Sequence, residues 1–214
     1  MSGRGRVINI IIAGVGGQGN ITAGLIMGEA ARLAGLNAVM SEIHGLAQRG
    51  GVVAVDLRIG EAHGPIIPSG RVDLILGFEV LESYRALSRA GPGTTVITST
   101  ERIVPLSVNV GKAKYPDVKE LRERARSLGV EVYEIDAPSI ALALGSPLSS
   151  NMVMVGAAYG AGFLPVRMED IKEAIRIHFR EKYWDVNFRA VEAGADEMRR
   201  LISAKGISPA GPRP

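Results

Sequence analysis

The run Val7-Ile-Asn-Ile-Ile-Ile-Ala13, followed at once by Gly14-Val-Gly-Gly-Gln-Gly19, decides the fold. The first seven residues are nearly continuous and β-branched, which is how a strand buried on both faces of a parallel sheet reads. The glycines then turn the chain. Ile21 to Ala34, with Ala23, Ala30 and Ala31, predicts a helix small enough on one side to pack tightly on a sheet, stopped by Gly35. Asn37 to Glu42 reads as a second strand. Strand, glycine turn, helix, strand is a βαβ unit, whose crossover is expected to be right-handed.

Outward from this unit comes a polar, glycine-rich stretch, Ser41-Glu-Ile-His-Gly-Leu-Ala-Gln-Arg-Gly-Gly51. Strands are expected at Val52–Ile59, Val72–Leu76, Thr94–Thr98 and Val130–Ile135, with a turn-rich loop over Gly60–Gly70. Helices are expected at Glu79–Ala90, whose Leu81, Tyr84 and Leu87 share a face, and at Val118–Leu128, capped by Asp117 and stopped by Gly129. From Pro138 the pattern is helical only, at Ser139–Leu144, Asn151–Ala161, Met168–Glu181 and Asn187–Ser203. The expectation is an α/β fold: a Rossmann-like, mostly parallel sheet with flanking helices and a helical C-terminal region. It forms a single domain over residues 1–204, with 205–214 as a flexible tail.

Composition agrees with a packed α/β chain and removes several functions. Of 214 residues, 46% are hydrophobic and 22% charged, enough for a core that buries roughly 70% of the unfolded surface. The formal charge of +3 is spread thinly, and its clusters at Arg122, Arg124 and Arg126 and at Arg199 and Arg200 suit solvated helix faces better than nucleic acid. No apolar leader follows Met1-Ser-Gly-Arg-Gly-Arg6, and no run approaches ~20 apolar residues, so a cytoplasmic chain that meets no membrane is expected. Arg outnumbers Lys, and Asn and Gln are scarce, which fits a thermophile. Cysteine is absent, so the chain cannot hold an iron–sulfur cluster or zinc through thiolates, nor use a thiol nucleophile.

Gly14, Gly16 and Gly19 satisfy G-x-G-x-x-G with Gly17 as an extra glycine, placed between a strand and a helix. Such a turn presents bare N–H groups to an anion, and Glu42 could accept from a ribose hydroxyl. The same glycines could equally serve close helix–sheet packing. Walker spacing exists, but Asn20 and Ile21 stand where Lys and Ser/Thr are required. His44, His63 and His178 lack metal-ligand spacing, and no G-x-S-x-G elbow is present. Glu79 and Glu82 open a helix, where its dipole accounts for them, and Asn151 follows two serines as a cap would. The stretch Glu42 to Gly51 packs a carboxylate, an imidazole, an amide and a guanidinium beyond a strand end, where open α/β sheets bind ligands. Arg49 there could clamp a phosphate or carboxylate.

These two motifs together resemble the gamma-type domain of the 2-oxoacid:ferredoxin oxidoreductases. The form His44-Gly-Leu-Ala-Gln-Arg-Gly-Gly51 is most similar to the small (beta) subunits of the indolepyruvate type. Supporting matches follow in order: Asp73-Leu-Ile-Leu-Gly-Phe-Glu79, Glu82 with Arg85, Tyr115-Pro116, Asp136-Ala137 and Asn151-Met-Val-Met-Val-Gly156. The resemblance implies oxidative decarboxylation of an aryl 2-oxoacid to an acyl-CoA with reduction of ferredoxin. Thiamine diphosphate, magnesium and iron–sulfur clusters would do that chemistry, with coenzyme A as co-substrate.

A chain without Cys, and without the Gly-Asp-Gly that holds thiamine diphosphate through magnesium, is then an accessory subunit with no catalysis alone. Its partner would be a large (alpha) subunit carrying those cofactors, with ferredoxin reached through the complex. The surface implied for cofactor contact comprises Gly14, Gly16, Gly17, Gln18 and Gly19, then Glu42, His44, Gln48, Arg49 and Gly50, with Asn151. Gln48 and Arg49 are its expected polar contacts. Two alternatives stay open: a subunit for another 2-oxoacid, such as pyruvate or a branched-chain acid, and a freestanding NAD(P)-binding reductase.

Overall fold

The computed structural model describes residues 6–44, 51–105, 108, 110–112 and 114–206. Its strands are β1 (Ile8–Val15), β2 (Ala38–His44), β3 (Val52–Ile59), β4 (Leu74–Gly77), β5 (Thr95–Ser99) and β6 (Glu131–Ile135). Its helices are α1 (Asn20–Leu33), α2 (Val80–Ala86), α3 (Val118–Ser127), α4 (Ala137–Ala143), α5 (Ser150–Gly160), α6 (Met168–His178) and α7 (Trp184–Ala204). The strands join in one sheet of order β2-β3-β1-β4-β5-β6. β1, β4, β5 and β6 are parallel neighbours, whereas β3 is antiparallel to both β1 and β2.

The first crossover therefore differs in detail from a simple βαβ pair. β1 and β2 point the same way, but β3 lies between them, with Val55 opposite Ile12 on one side and Glu42 on the other. The sequence of β3 carries the mark of such a strand. Val55, Leu57 and Ile59 join one core, while Asp56 and Arg58 face the opposite way. By contrast every residue of β1 is buried, because both its faces are covered. Ile8, Ile10 and Ile12 pack with α1, α5, α6 and α7; Ile11 and Ala13 pack with Val80 of α2 and Leu121 of α3.

Two contacts fix the layers. The carboxylate of Asp56 is fully buried and receives both terminal nitrogens of Arg89, each at 2.7 Å, and the Ile67 amide at 2.9 Å. Arg89 also donates to the Ile67 carbonyl, so the pair pins the loop before β4 against β3. On the other face, α5 is buried from Asn151 to Ala158, between the sheet and α7. A Cβ at Gly156 would strike the Val191 carbonyl, and one at Gly194 the Val153 carbonyl, so these glycines let α5 and α7 touch backbone to backbone. Of the expected tail, Lys205 pairs with Glu131 at 2.9 Å; residues 207–214 lie outside the described residues.

Candidate functional site

The parallel strands β1, β4, β5 and β6 all end at one edge of the sheet, where α/β folds bind their ligands. The segments that follow them meet there. Gly16, Gly17 and Gln18 follow β1; Phe78 follows β4; Glu101 and Ile103 follow β5; Pro138 lies just past β6. With Pro147, Leu148, Ser150 and Met154 at the start of α5, they enclose a crevice of about 360 Å³.

The glycine turn is built from its own side chains. Gly17 and Gly19 have φ of 107° and 80°, in the left-handed region that favours glycine. Gly16 donates to the Gly51 carbonyl at 2.8 Å, tying the turn to the start of β3. The Gln18 amide is fully engaged. Its oxygen accepts from Val15 N–H at 2.7 Å, and its nitrogen donates to the Phe78 carbonyl and to Glu101 Oε2, both at 2.9 Å. One side chain thus knits together the ends of β1, β4 and β5. Asn20 folds back to donate to the Val15 carbonyl at 3.0 Å, and its buried Oδ1 finds no partner among the described residues. A Cβ on Gly14 would collide with both Gln18 and Asn20.

Behind the crevice lies a second buried group. Glu79 caps α2, its Oε2 accepting from Glu82 N–H at 3.0 Å. Its Oε1 accepts from Ile103 N–H at 3.2 Å and from the Tyr115 hydroxyl. Burial, then the hydrogen bond to Glu79, pushes the Tyr115 phenol well above its ordinary pKa. Burial also raises the Glu82 carboxyl above its usual value, against the pull of Arg85 at 2.6 Å. Position at a helix start accounts for only part of these two glutamates: Glu79 is the buried anchor that holds Ile103 at the crevice.

Of the residues nominated from sequence, Gly16, Gly17 and Gln18 line the crevice, and Gly14 lies beneath them at the end of β1. The Asn151 amide sits against Gly19, close enough that any Cβ there would collide with it, and the N-cap of α5 is Ser149 instead. Glu42 stands apart. It is exposed on β2, two strand positions from β1 and so roughly 10 Å away at the usual strand spacing. The inserted β3 is the reason, and it removes Glu42 from the place of a ribose acceptor beside the turn. His44 ends β2, opposite Val53. Gln48, Arg49 and Gly50 lie outside the described residues. The sequence reading missed Phe78, Glu101, Ile103, Pro138 and Leu148. Their signal was positional, since most stand within a few residues of a strand end.

The chain matches the family described as pyruvate ferredoxin/flavodoxin oxidoreductase over residues 9–197. It belongs to that family. Among curated relatives, it is 40% identical over 190 residues to the indolepyruvate oxidoreductase subunit IorB of Archaeoglobus fulgidus, covering 89% of this chain and 94% of the relative. The IorB of Methanothermobacter thermautotrophicus is 43% identical over 186 residues, covering 87% and 95%. The fold is shared with the gamma subunit of a keto/oxoacid ferredoxin oxidoreductase from Geobacter sulfurreducens, at TM-score 0.67 and 23% identity over 90% of this chain and 99% of the other. A 2-oxoglutarate:ferredoxin oxidoreductase chain from Magnetococcus marinus gives TM-score 0.70 at 22% identity. There, 97% of this chain matches 34% of the longer one.

Redox chemistry in this ferredoxin-linked family raises the question of what this chain can hold. It has no cysteine to bind an iron–sulfur cluster. Among the described residues, no group of three or more His, Asp or Glu side chains is arranged for a metal ion. The sequence supplies no thiolate for a cluster, and the described residues supply no donor set for a metal ion. Among the described residues, no helix is long and apolar enough to cross a membrane.

Proposed function

We propose that this chain is the small subunit of an indolepyruvate:ferredoxin oxidoreductase, inactive alone and working in the cytoplasm on a companion large subunit. The observation that carries this is the 40–43% identity to IorB subunits, spread over about nine-tenths of both chains. The absence of thiols supports the division of labour: thiamine diphosphate, magnesium and the iron–sulfur clusters belong to the companion. What this family member contributes is the sheet edge carrying the glycine turn. That edge closes over the companion's reaction site or over the entry of coenzyme A. Arg49, on the segment between β2 and β3, supplies the positive charge for coenzyme A phosphate or the oxoacid carboxylate.

A substrate panel tests the assignment. The two-subunit complex is expected to reduce ferredoxin with indolepyruvate at a kcat/KM at least about tenfold above that with pyruvate or 2-ketoisovalerate, with coenzyme A required. Preference for either aliphatic acid would move the chain to another branch of the family. Arg49→Ala should raise the KM for coenzyme A or oxoacid while the subunits still associate.

A further inference from the structure

Among the described residues, the charge lining the crevice is the wrong sign for a phosphate. Glu101 is the one ionisable side chain among the described lining residues, and no Lys or Arg joins it. It is half-buried. Gln18 holds its Oε2, and no hydrogen bond from the described residues reaches its Oε1. An anion at the glycine turn would therefore meet a fixed carboxylate in a partly desolvated space, where like charges repel strongly.

We propose that the crevice receives a single cationic side chain, arginine or lysine, presented by the companion subunit and bound by Glu101. This rests on the proposed function in that it needs a companion. The walls suit such an occupant: Phe78, Ile103, Pro138 and Met154 flank an aliphatic stem, while the carboxylate meets the charged head. Leu148 at the mouth is 89% exposed, an apolar cover that the described residues leave open. Gly17 leaves open space where a side chain would stand, so nothing from the turn blocks the approach. Gln18 is itself tied to β1 and β4, so the acceptor is fixed before the partner arrives and little ordering is lost on binding. The glycine turn, on this account, is a rigid mount for a carboxylate receptor.

The test is made on the two-subunit complex. Glu101→Gln keeps an oxygen for Gln18 and removes the charge. It should weaken subunit association about tenfold or more and flatten its dependence on ionic strength. A second measurement needs no variant. Labelling of arginines with phenylglyoxal and of lysines with acetic anhydride, read by mass spectrometry, should find one companion residue protected on association. Four results would overturn the proposal. They are unaltered association and salt dependence in Glu101→Gln, no protected companion residue, a lower coenzyme A KM in Glu101→Gln, or a double-mutant cycle that couples Glu101 to Arg49 of this chain instead. Failure of the proposed function would look different: an inactive wild-type complex, whatever Glu101 does.

Discussion

Tyr115 donates its phenolic hydrogen bond to the carboxyl group of Glu79, 36 residues earlier and fully buried beneath the sheet edge. Glu79 in turn holds Ile103 and the first turn of α2, so one contact joins three segments behind the crevice. Tyr115→Phe keeps the ring and deletes the donor. It should cost about 1–3 kcal/mol of unfolding free energy, measured by urea denaturation of the complex, because a buried acceptor loses its partner. Unchanged stability would mean that the Glu79 carboxyl is satisfied without Tyr115.

Asp56 and Arg89 form the other buried anchor. Arg89→Met should destabilise by about 3–5 kcal/mol, since it strands a carboxylate that is fully shielded from water. Adding Asp56→Asn should recover a large part of that loss. A full loss that persists in the double variant would assign the effect to packing of the arginine stem rather than to charge.

The contact of α5 with α7 predicts a steric effect. Gly156→Ala puts a methyl group into the Val191 carbonyl and should cost about 1–3 kcal/mol or more, read as a lower Tm. Gly35→Ala meets no neighbour, so its cost is confined to the strain of φ 78°.

Glu82 gives a pH dependence of stated sign. Its folded pKa lies above the ordinary 4.5, chiefly through burial. Between those two values the folded chain binds more protons than the unfolded one, so this group's contribution to stability falls as pH rises above 4.5. Glu29 and Glu197, held low by hydrogen bonds from Arg32 and Arg200, act in the opposite direction at acid pH. The difference between wild type and Glu82→Gln isolates the first effect. Wild type should lose ground to the variant as pH is raised from 4 to 7, followed by denaturant titration at each pH.

Much of the fold was legible because burial writes itself into residue type. The unbroken apolar run of β1 reflects its two covered faces, and Asp117 at the start of α3 accepts from Glu120 N–H as a cap should. The insertion of β3 between β1 and β2 was not legible. Strand order is set by pairing across the sheet, and the alternation over Val55–Ile59 does not name the strand's neighbours. The candidate site was half legible. Glycines at a strand end advertise a tight turn, but the Gln18–Glu101 bond spans 83 residues and leaves no local pattern. Glu42 misled because its spacing from the glycines assumed that β2 lies beside β1.

On the proposed function, this member of the family works only with a companion. The most direct test is indolepyruvate-dependent, coenzyme A-dependent ferredoxin reduction, measured with the purified chain and again after the large subunit is added. No turnover is expected from the chain alone, and turnover is expected when the two are combined. Ferredoxin reduction by the chain by itself, at a rate comparable to the pair, would contradict it.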